Sequence, residues 1–195
     1  MMKKEAKLQV LIAEALLCAI GIAIPMFCPK IVIGPASFTL ASHVPVFLAM
    51  FISPAAAVTI SLGTTLGFFV AGFHPVVVLR ALSHVVFALV GALWLRKSPE
   101  TLASVKGTTL FAVAVSALHA ACELVIVTFF FFGNQLSPET YQSGYFISVF
   151  LLVGLGGMIH SLVDFSISLA VWKPVVHTVR FPVSVKRIFQ KTEQA

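Results

Sequence analysis

Long apolar stretches separated by short loops constrain this chain more than any other feature of its sequence. A helix needs about 20 apolar residues to cross a hydrocarbon layer of about 30 Å, and several stretches approach or exceed that length. Charged residues make up only 10% of the chain and the mean hydropathy is +1.03, whereas soluble domains carry roughly 25% charged residues. We therefore predict an integral membrane protein, which excludes both a soluble domain and a disordered chain.

The apolar pattern predicts an all-α bundle of six transmembrane helices that forms one domain over residues 1–195. The predicted helices cover residues 8–28, 40–53, 55–72, 76–95, 108–132 and 145–172, and a basic tail follows at 173–195. The second stretch is short and ends at Pro54, so a partly interfacial position is an alternative for it. The loops at 29–39 and 133–144 either connect helices or cover a ligand.

Basic residues are concentrated on one predicted side of the membrane. With six crossings, 11 of the 13 Lys and Arg residues fall in the two termini and in the loop between the fourth and fifth helices. Lys30 stands on the opposite side, and Arg80 lies within a helix. This asymmetry predicts that both termini are cytoplasmic and that the basic tail lies along the anionic inner leaflet. The net charge of +6 is therefore explained by the lipid bilayer, and no nucleic-acid partner is expected.

Three pairs of ionisable residues at i,i+4 spacing lie within the predicted fourth, fifth and sixth helices. The pairs are Arg80 with His84, His119 with Glu123, and His160 with Asp164. Ionisable groups are costly in lipid, so they face the protein interior and are candidates for a binding site open to the outside. The alternative is that they are buried ion pairs, such as Arg80 with Glu123, which hold the helices together. His43 is a further site candidate, while a structural or coupling role is at least as well supported for Asp164 and Glu14.

Motifs of the main enzymatic alternatives are absent from the sequence. It contains neither the HExxH zinc motif nor a GxxxxGK[ST] loop, so the chain cannot use ATP by itself. Its three cysteines have no CxxC spacing, and the repeated acidic or Cys content of a metal path is missing. We expect no enzymatic activity, no cofactor and no bound metal. His and carboxylate at i,i+4 spacing can nevertheless bind zinc or manganese, so a stand-alone carrier for a metal ion or a proton-coupled solute is the alternative function.

Small residues repeat at every fourth position in two of the predicted helices. Ala15, Ala19 and Ala23 form such a ridge in the first helix, and Gly63 and Gly67 form one in the third. Ridges of this kind allow two helices to approach closely. Packing within the chain is the simple interpretation of both, and docking onto another membrane subunit is the alternative for the first helix.

With these features, the sequence resembles the substrate-binding S components of energy-coupling factor (ECF) vitamin transporters. The matching features are the size, six helices with both ends inside, the alanine ridge, and the segment GPASFTLASHVP at 34–45. The resemblance implies a binding subunit in the bacterial cell membrane that works with a membrane-embedded coupling subunit and two ATPase subunits. It also implies that Ala15, Ala19 and Ala23 contact the coupling subunit, and that residues 33–40 cap a vitamin cavity.

The resemblance leaves the vitamin open, because S components share a fold while binding unrelated vitamins. The predicted substrate-binding residues are Arg80, His84, His119, Glu123, His43, Ser37, Phe38 and His160. Histidines combined with Arg, Glu and many Phe residues suit a small, flat heteroaromatic ring in a mostly apolar pocket. We expect hydroxymethylpyrimidine or pyridoxine, while niacin or pantothenate, whose carboxylate would use Arg80, are the less favoured substrates.

Overall fold

The computed structural model describes residues 2–33 and 36–178, and within these ranges the chain is an α-helical bundle with one β-hairpin. Its helices and strands are α1 Met2–Phe27, β1 Lys30–Ile33, β2 Ala36–Thr39, α2 Val44–Ile52, α3 Pro54–Val70, α4 Pro75–Lys97, α5 Val105–Phe132, α6 Pro138–Gln142 and α7 Gly156–Thr178. A 3₁₀ turn at Pro99–Ala103 precedes α5, and a π-helix at Phe146–Leu155 runs directly into α7. Residues 34–35 of the predicted cap and residues 179–195 of the predicted basic tail lie outside the described residues.

Four helical segments in the described part of the chain are long and apolar enough to cross a membrane. They are Lys7–Phe27, Pro75–Lys97, Val105–Phe132 and Phe146–Val175. The apolar helix α3 has 17 residues and α2 has nine, which at about 1.5 Å per residue gives lengths of about 26 and 14 Å. The chain is therefore an all-α membrane bundle, while six crossings and the cytoplasmic position of the termini stay predictions.

The start and end of α2 differ from the predicted stretch at 40–53 for local reasons. Ala41 takes a left-handed conformation with φ of 67°, so the chain turns there and the helix begins only at Val44. At the other end Ser53 is extended, and its side chain accepts a hydrogen bond from the backbone N–H of Ala56. Ser53 thus caps a new helix, α3, whose first residue Pro54 is suited to that position.

The short helix α2 forms the centre of the bundle. All nine of its residues are buried, and it contacts α1, α3, α4 and α7. The longer helices surround it, with α1 beside α3, α3 beside α4, α4 beside α5 and α5 beside α7. An apolar helix that is buried on every side has no contact with lipid. The length of α2 therefore depends on its packing in the bundle and not on the thickness of the membrane.

The two ridges of small residues lie in different environments. Gly63 and Gly67 of α3 pack directly under Cys18 and Ile22 of α1, leaving no room for a side chain. On α1 itself Ala15 and Ala19 are exposed and Ala23 is half-buried. The glycine ridge therefore joins two helices of this chain, whereas the alanine ridge presents most of its surface outside the bundle.

Gly67→Leu is expected to destabilise the protein by about 1–3 kcal/mol, because the new side chain would be forced into the space that Ile22 fills. The measurement is the thermal unfolding midpoint of the purified protein in detergent, which should fall by several degrees. Leu66→Ala is the matched control, since Leu66 is 62% exposed. Equal midpoints for Gly67→Leu and the wild-type protein would contradict close packing of α1 on α3.

Candidate functional site

A cavity of about 250 Å³ lies at the end of the bundle where α1 ends and α4 begins. Its apolar wall includes Phe68, Phe73 and Val77. Its polar lining comes from the hairpin, from α3, α4 and α5, and from the turn before α2, and consists of Lys30, Ser37, Thr39, Ser42, His43, Thr64, Arg80, His84 and Glu123. Pockets for drug-sized ligands typically measure about 300–1,000 Å³, so this one suits a single small ring.

Glu123 of α5 joins the polar groups of two helices. Its Oε2 accepts a hydrogen bond from Nη2 of Arg80 at 2.9 Å, and its Oε1 lies 3.3 Å from Nε2 of His84. Arg80 and His84 occupy successive turns of α4, so one carboxylate contacts both of them. Glu123 is 3% exposed. The pairing offsets part of the cost of burying these charges and fixes the donors that face the cavity.

His119 lies one turn before Glu123 on α5 and is fully buried. Its Nε2 is 3.5 Å from Oε1 of Glu123. Among the described residues, neither ring nitrogen of His119 has a hydrogen-bond partner. It is not among the residues that line the cavity. His119 therefore stands behind the cavity wall, in contact with Glu123.

Asp164 of α7 holds the turn that leads from the hairpin into α2. Its Oδ1 accepts a hydrogen bond from the backbone N–H of Ala41 at 2.8 Å, and its Oδ2 accepts one from the backbone N–H of His43 at 2.9 Å. The side-chain Nδ1 of His43 is also 3.0 Å from Oδ2. Asp164 is fully buried, so these contacts replace the water that the carboxylate loses on folding.

Four histidine rings meet beside the cavity, and two of them, His43 and His84, line it. The ring centroid of His43 lies 4.9 Å from that of His84, 4.5 Å from that of His119 and 5.1 Å from that of His160. His160 also approaches Oγ of Ser42 at 3.2 Å and Oδ2 of Asp164 at 3.4 Å. Histidines from α4, α5 and α7 are thus grouped around His43 at the entrance of α2.

The structure brings together most of the residues that the sequence predicts for a binding site. Ser37 lines the cavity with the groups above, whereas the ring of Phe38 packs against His160 with centroids 5.5 Å apart. The alanine ridge of α1 lies elsewhere, and His74 is exposed. Which of these residues bind a ligand stays a prediction.

Several cavity residues are missed by the sequence reasoning. These are Lys30, Ser42, Thr64, Phe68 and Phe73, whereas Thr39 falls within the predicted cap at 33–40. Lys30 has a recognisable signal, because it is the one basic residue predicted on the outer side. Its ammonium lies 5.9 Å from the ring centroid of Phe73. The hairpin that carries Lys30 pairs Lys30 with Thr39 and Ile33 with Ala36, where the sequence predicts only a loop.

Asp164→Asn is expected to loosen the hairpin and the turn after it. The amide group has one acceptor oxygen, so it cannot accept the three N–H bonds around Asp164, and the loss is expected to cost about 1–3 kcal/mol. Hydrogen exchange followed by mass spectrometry should show faster exchange over residues 36–44. Ser166→Ala, an exposed position on the same helix, is the matched control. Unchanged exchange in Asp164→Asn would show that other contacts hold the hairpin.

Comparison with known proteins finds a relative of this chain. The chain is 40% identical over 183 residues to the niacin transporter NiaX of Lactococcus lactis subsp. cremoris (strain MG1363), and the match spans 93% of this chain and 80% of that protein. No protein-family model matches the chain. No solved structure matches it either.

Proposed function

The chain belongs to the family of the niacin transporter NiaX, and we propose that it is the niacin-binding S component of an ATP-driven ECF importer. As a member of this family it is a multi-pass transport protein of the bacterial membrane. The comparison gives no support to hydroxymethylpyrimidine or pyridoxine, the substrates favoured from the sequence. Niacin, one of the less favoured substrates, is the one that the relative's name gives.

The proposal for niacin rests on one observation, the two basic side chains that line a small and otherwise mostly apolar cavity. Arg80 is fixed in the wall by Glu123, and Lys30 stands at the rim on the hairpin. Nicotinic acid, the form of niacin meant here, is a flat pyridine ring that carries one carboxylate. Arg80 and Lys30 supply charge-assisted hydrogen bonds for that carboxylate, while Phe68 and Phe73 offer apolar surface for the ring.

The remaining polar groups suit the ring nitrogen of the same ligand. The pyridine nitrogen, which is meta to the carboxylate, is a hydrogen-bond acceptor and needs a donor next to it. The hydroxyls of Thr39, Ser42 and Thr64 all line the cavity and are able to donate. A pocket of this kind recognises both ends of the vitamin.

Lys30→Gln is expected to weaken the binding of nicotinic acid by about threefold to tenfold, because a partly solvated charge contributes less than a buried one. Nicotinamide, which has the same ring and no carboxylate charge, should bind Lys30→Gln and the wild-type protein equally well. Titration calorimetry of the purified protein with both compounds measures the difference. Lys97→Gln, an exposed position at the far end of α4, is the control. Equal weakening for both compounds would contradict a contact between Lys30 and the carboxylate.

The role as an S component is supported by the surface of α1. Only 6% of the 18-residue apolar stretch of α1 is buried inside this chain, and Ala15 and Ala19 are exposed on this helix. Small residues on an exposed helix face allow another helix to approach closely in a membrane. The proposed partners are the coupling subunit, which would contact this face, and two ATPase subunits that supply the energy.

Uptake by reconstituted vesicles tests this role against that of a stand-alone carrier. The chain alone should bind niacin without accumulating it. Accumulation should require both the coupling module and ATP on the side of the membrane where the ATPase subunits lie. A proton gradient imposed on vesicles with the chain alone should have no effect. Accumulation of niacin by the chain alone under that gradient would overturn the S-component proposal and leave niacin binding intact.

A further inference from the structure

We propose that His43, His84, His119 and Glu123 form a site for one divalent transition-metal ion of the zinc class, in the wall of the cavity. One potential ligand atom from each of these four buried residues lies within 4.8 Å of all the others. Imidazole nitrogens and a carboxylate oxygen are ligands that zinc prefers, in the number that a tetrahedral site needs.

The distances around Glu123 fit tetrahedral coordination. Zinc bonds to nitrogen and oxygen of about 2.0–2.2 Å place neighbouring ligand atoms about 3.4 Å apart in a tetrahedron. Oε1 of Glu123 lies 3.3 Å from Nε2 of His84 and 3.5 Å from Nε2 of His119. The other oxygen, Oε2, is bonded to Arg80, so it orients the carboxylate without competing for the metal.

His119 gives a second and independent indication. It is fully buried, and within residues 2–33 and 36–178 neither of its ring nitrogens makes a hydrogen bond. A buried polar group without a partner is costly. A metal bonded to Nε2 of His119 would use the lone pair of a nitrogen that already lies beside Glu123 and His84.

His43 is oriented as metal-binding histidines usually are. Its Nδ1 lies 3.0 Å from Oδ2 of Asp164, and a hydrogen bond from one ring nitrogen to a carboxylate commonly leaves the other nitrogen for the metal. The backbone N–H of His43 donates to the same oxygen, which fixes the residue further. Asp164 is occupied by these donors and by Ala41, so it acts as a support for His43 and not as a ligand.

The charges around the cavity also favour a bound metal ion. This argument, unlike the others, rests on the proposed function, the binding of niacin. The buried ionic groups next to the cavity are Arg80, Glu123 and Asp164, with one positive and two negative charges. With Lys30 at the exposed rim, these formal charges sum to zero, so the cavity has no net positive charge for an anionic vitamin. A divalent cation in the wall would add to the attraction that Arg80 and Lys30 offer to the carboxylate of niacin.

A titration with Co²⁺ in the absence of niacin tests the site, so its result is separate from that for vitamin binding. The full-length protein is purified, treated with a chelator, and titrated with Co²⁺, whose visible absorption reports coordination geometry. We expect about one Co²⁺ per chain with the intense absorption of a tetrahedral complex, and displacement of Co²⁺ by Zn²⁺. No saturable binding, or only the weak absorption of an octahedral complex, would overturn the proposal.

Variants then assign the ligands. His119→Asn, which changes a residue outside the cavity lining, should weaken Co²⁺ binding at least tenfold, and His84→Asn should do the same. His74→Gln, an exposed histidine on the same end of the molecule, should bind Co²⁺ as the wild-type protein does. If both His119→Asn and His84→Asn fold and retain wild-type affinity, or if His74→Gln alone loses it, the metal binds elsewhere and the proposal is wrong. If one variant fails to fold, the other and the wild-type spectrum decide.

Discussion

Glu123→Gln is expected to bind niacin at least tenfold more weakly than the wild-type protein. The substitution keeps the shape of the side chain and removes the negative charge that holds Arg80 and His84 in the cavity wall. Charge-assisted hydrogen bonds contribute about 1.5–3 kcal/mol each, which corresponds to a change of about 10- to 100-fold in affinity. Titration calorimetry on the purified monomer measures the effect. Arg80→Gln is a poorer test, because it leaves a buried carboxylate unpaired and confuses binding with folding.

The control for this prediction is Glu139→Gln, which changes an exposed carboxylate on the short helix α6. It should bind niacin as the wild-type protein does, and both variants should elute as folded monomers. Unchanged affinity in a well-folded Glu123→Gln protein would mean that the ion pair is only a scaffold. The vitamin would then be held by the hairpin and by the phenylalanine side chains of the cavity.

Ala19→Leu is expected to lower ATP-driven niacin uptake at least tenfold while leaving niacin binding unchanged. The new side chain would stand on the exposed face of α1 and keep a partner helix at a distance, because association in lipid depends on close packing of small residues. The cavity lies at the end of the bundle beyond this position and is not touched. Uptake is measured in vesicles that contain the coupling module, and binding is measured on the isolated chain.

Ala170→Leu is the matched control, since it makes the same change at an exposed position on α7. It should support normal uptake and normal assembly with the coupling module. Normal uptake by Ala19→Leu would show that the alanine ridge faces lipid only. Loss of niacin binding in Ala19→Leu would show instead that α1 shapes the cavity.

The parts of the fold that follow from composition and periodicity could be predicted from the sequence. Long apolar segments must become membrane helices, so the bundle and the helices that carry Arg80, His119 and His160 were predictable. The i,i+4 pairs also follow from helix geometry alone. The central position of α2 could not be predicted, because it depends on how the helices that contact it, α1, α3, α4 and α7, pack around it.

Most contacts between helices could not be predicted. The ion pair of Arg80 with Glu123 was one of the alternatives drawn from the sequence, but nothing in the sequence indicates that His84 contacts the same carboxylate, or that Asp164 reaches back across 121 residues to His43. The grouping of four histidines has the same origin, since each comes from a different segment of the chain. The sequence therefore predicted no metal site, because zinc motifs are recognised by ligands close together in the chain and these ligands are far apart. Lys30 was not predicted as a site residue, because a single basic residue in a loop was used only to assign the loop to one side of the membrane.

Titration of the purified chain alone with niacin, hydroxymethylpyrimidine and pyridoxine is the most direct measurement of the central claim. The account predicts that nicotinic acid binds at one molecule per chain, and that the other two compounds, which have no carboxylate to pair with Arg80 and Lys30, bind at least tenfold more weakly. Tight binding of hydroxymethylpyrimidine or pyridoxine together with weak or absent binding of nicotinic acid would contradict it.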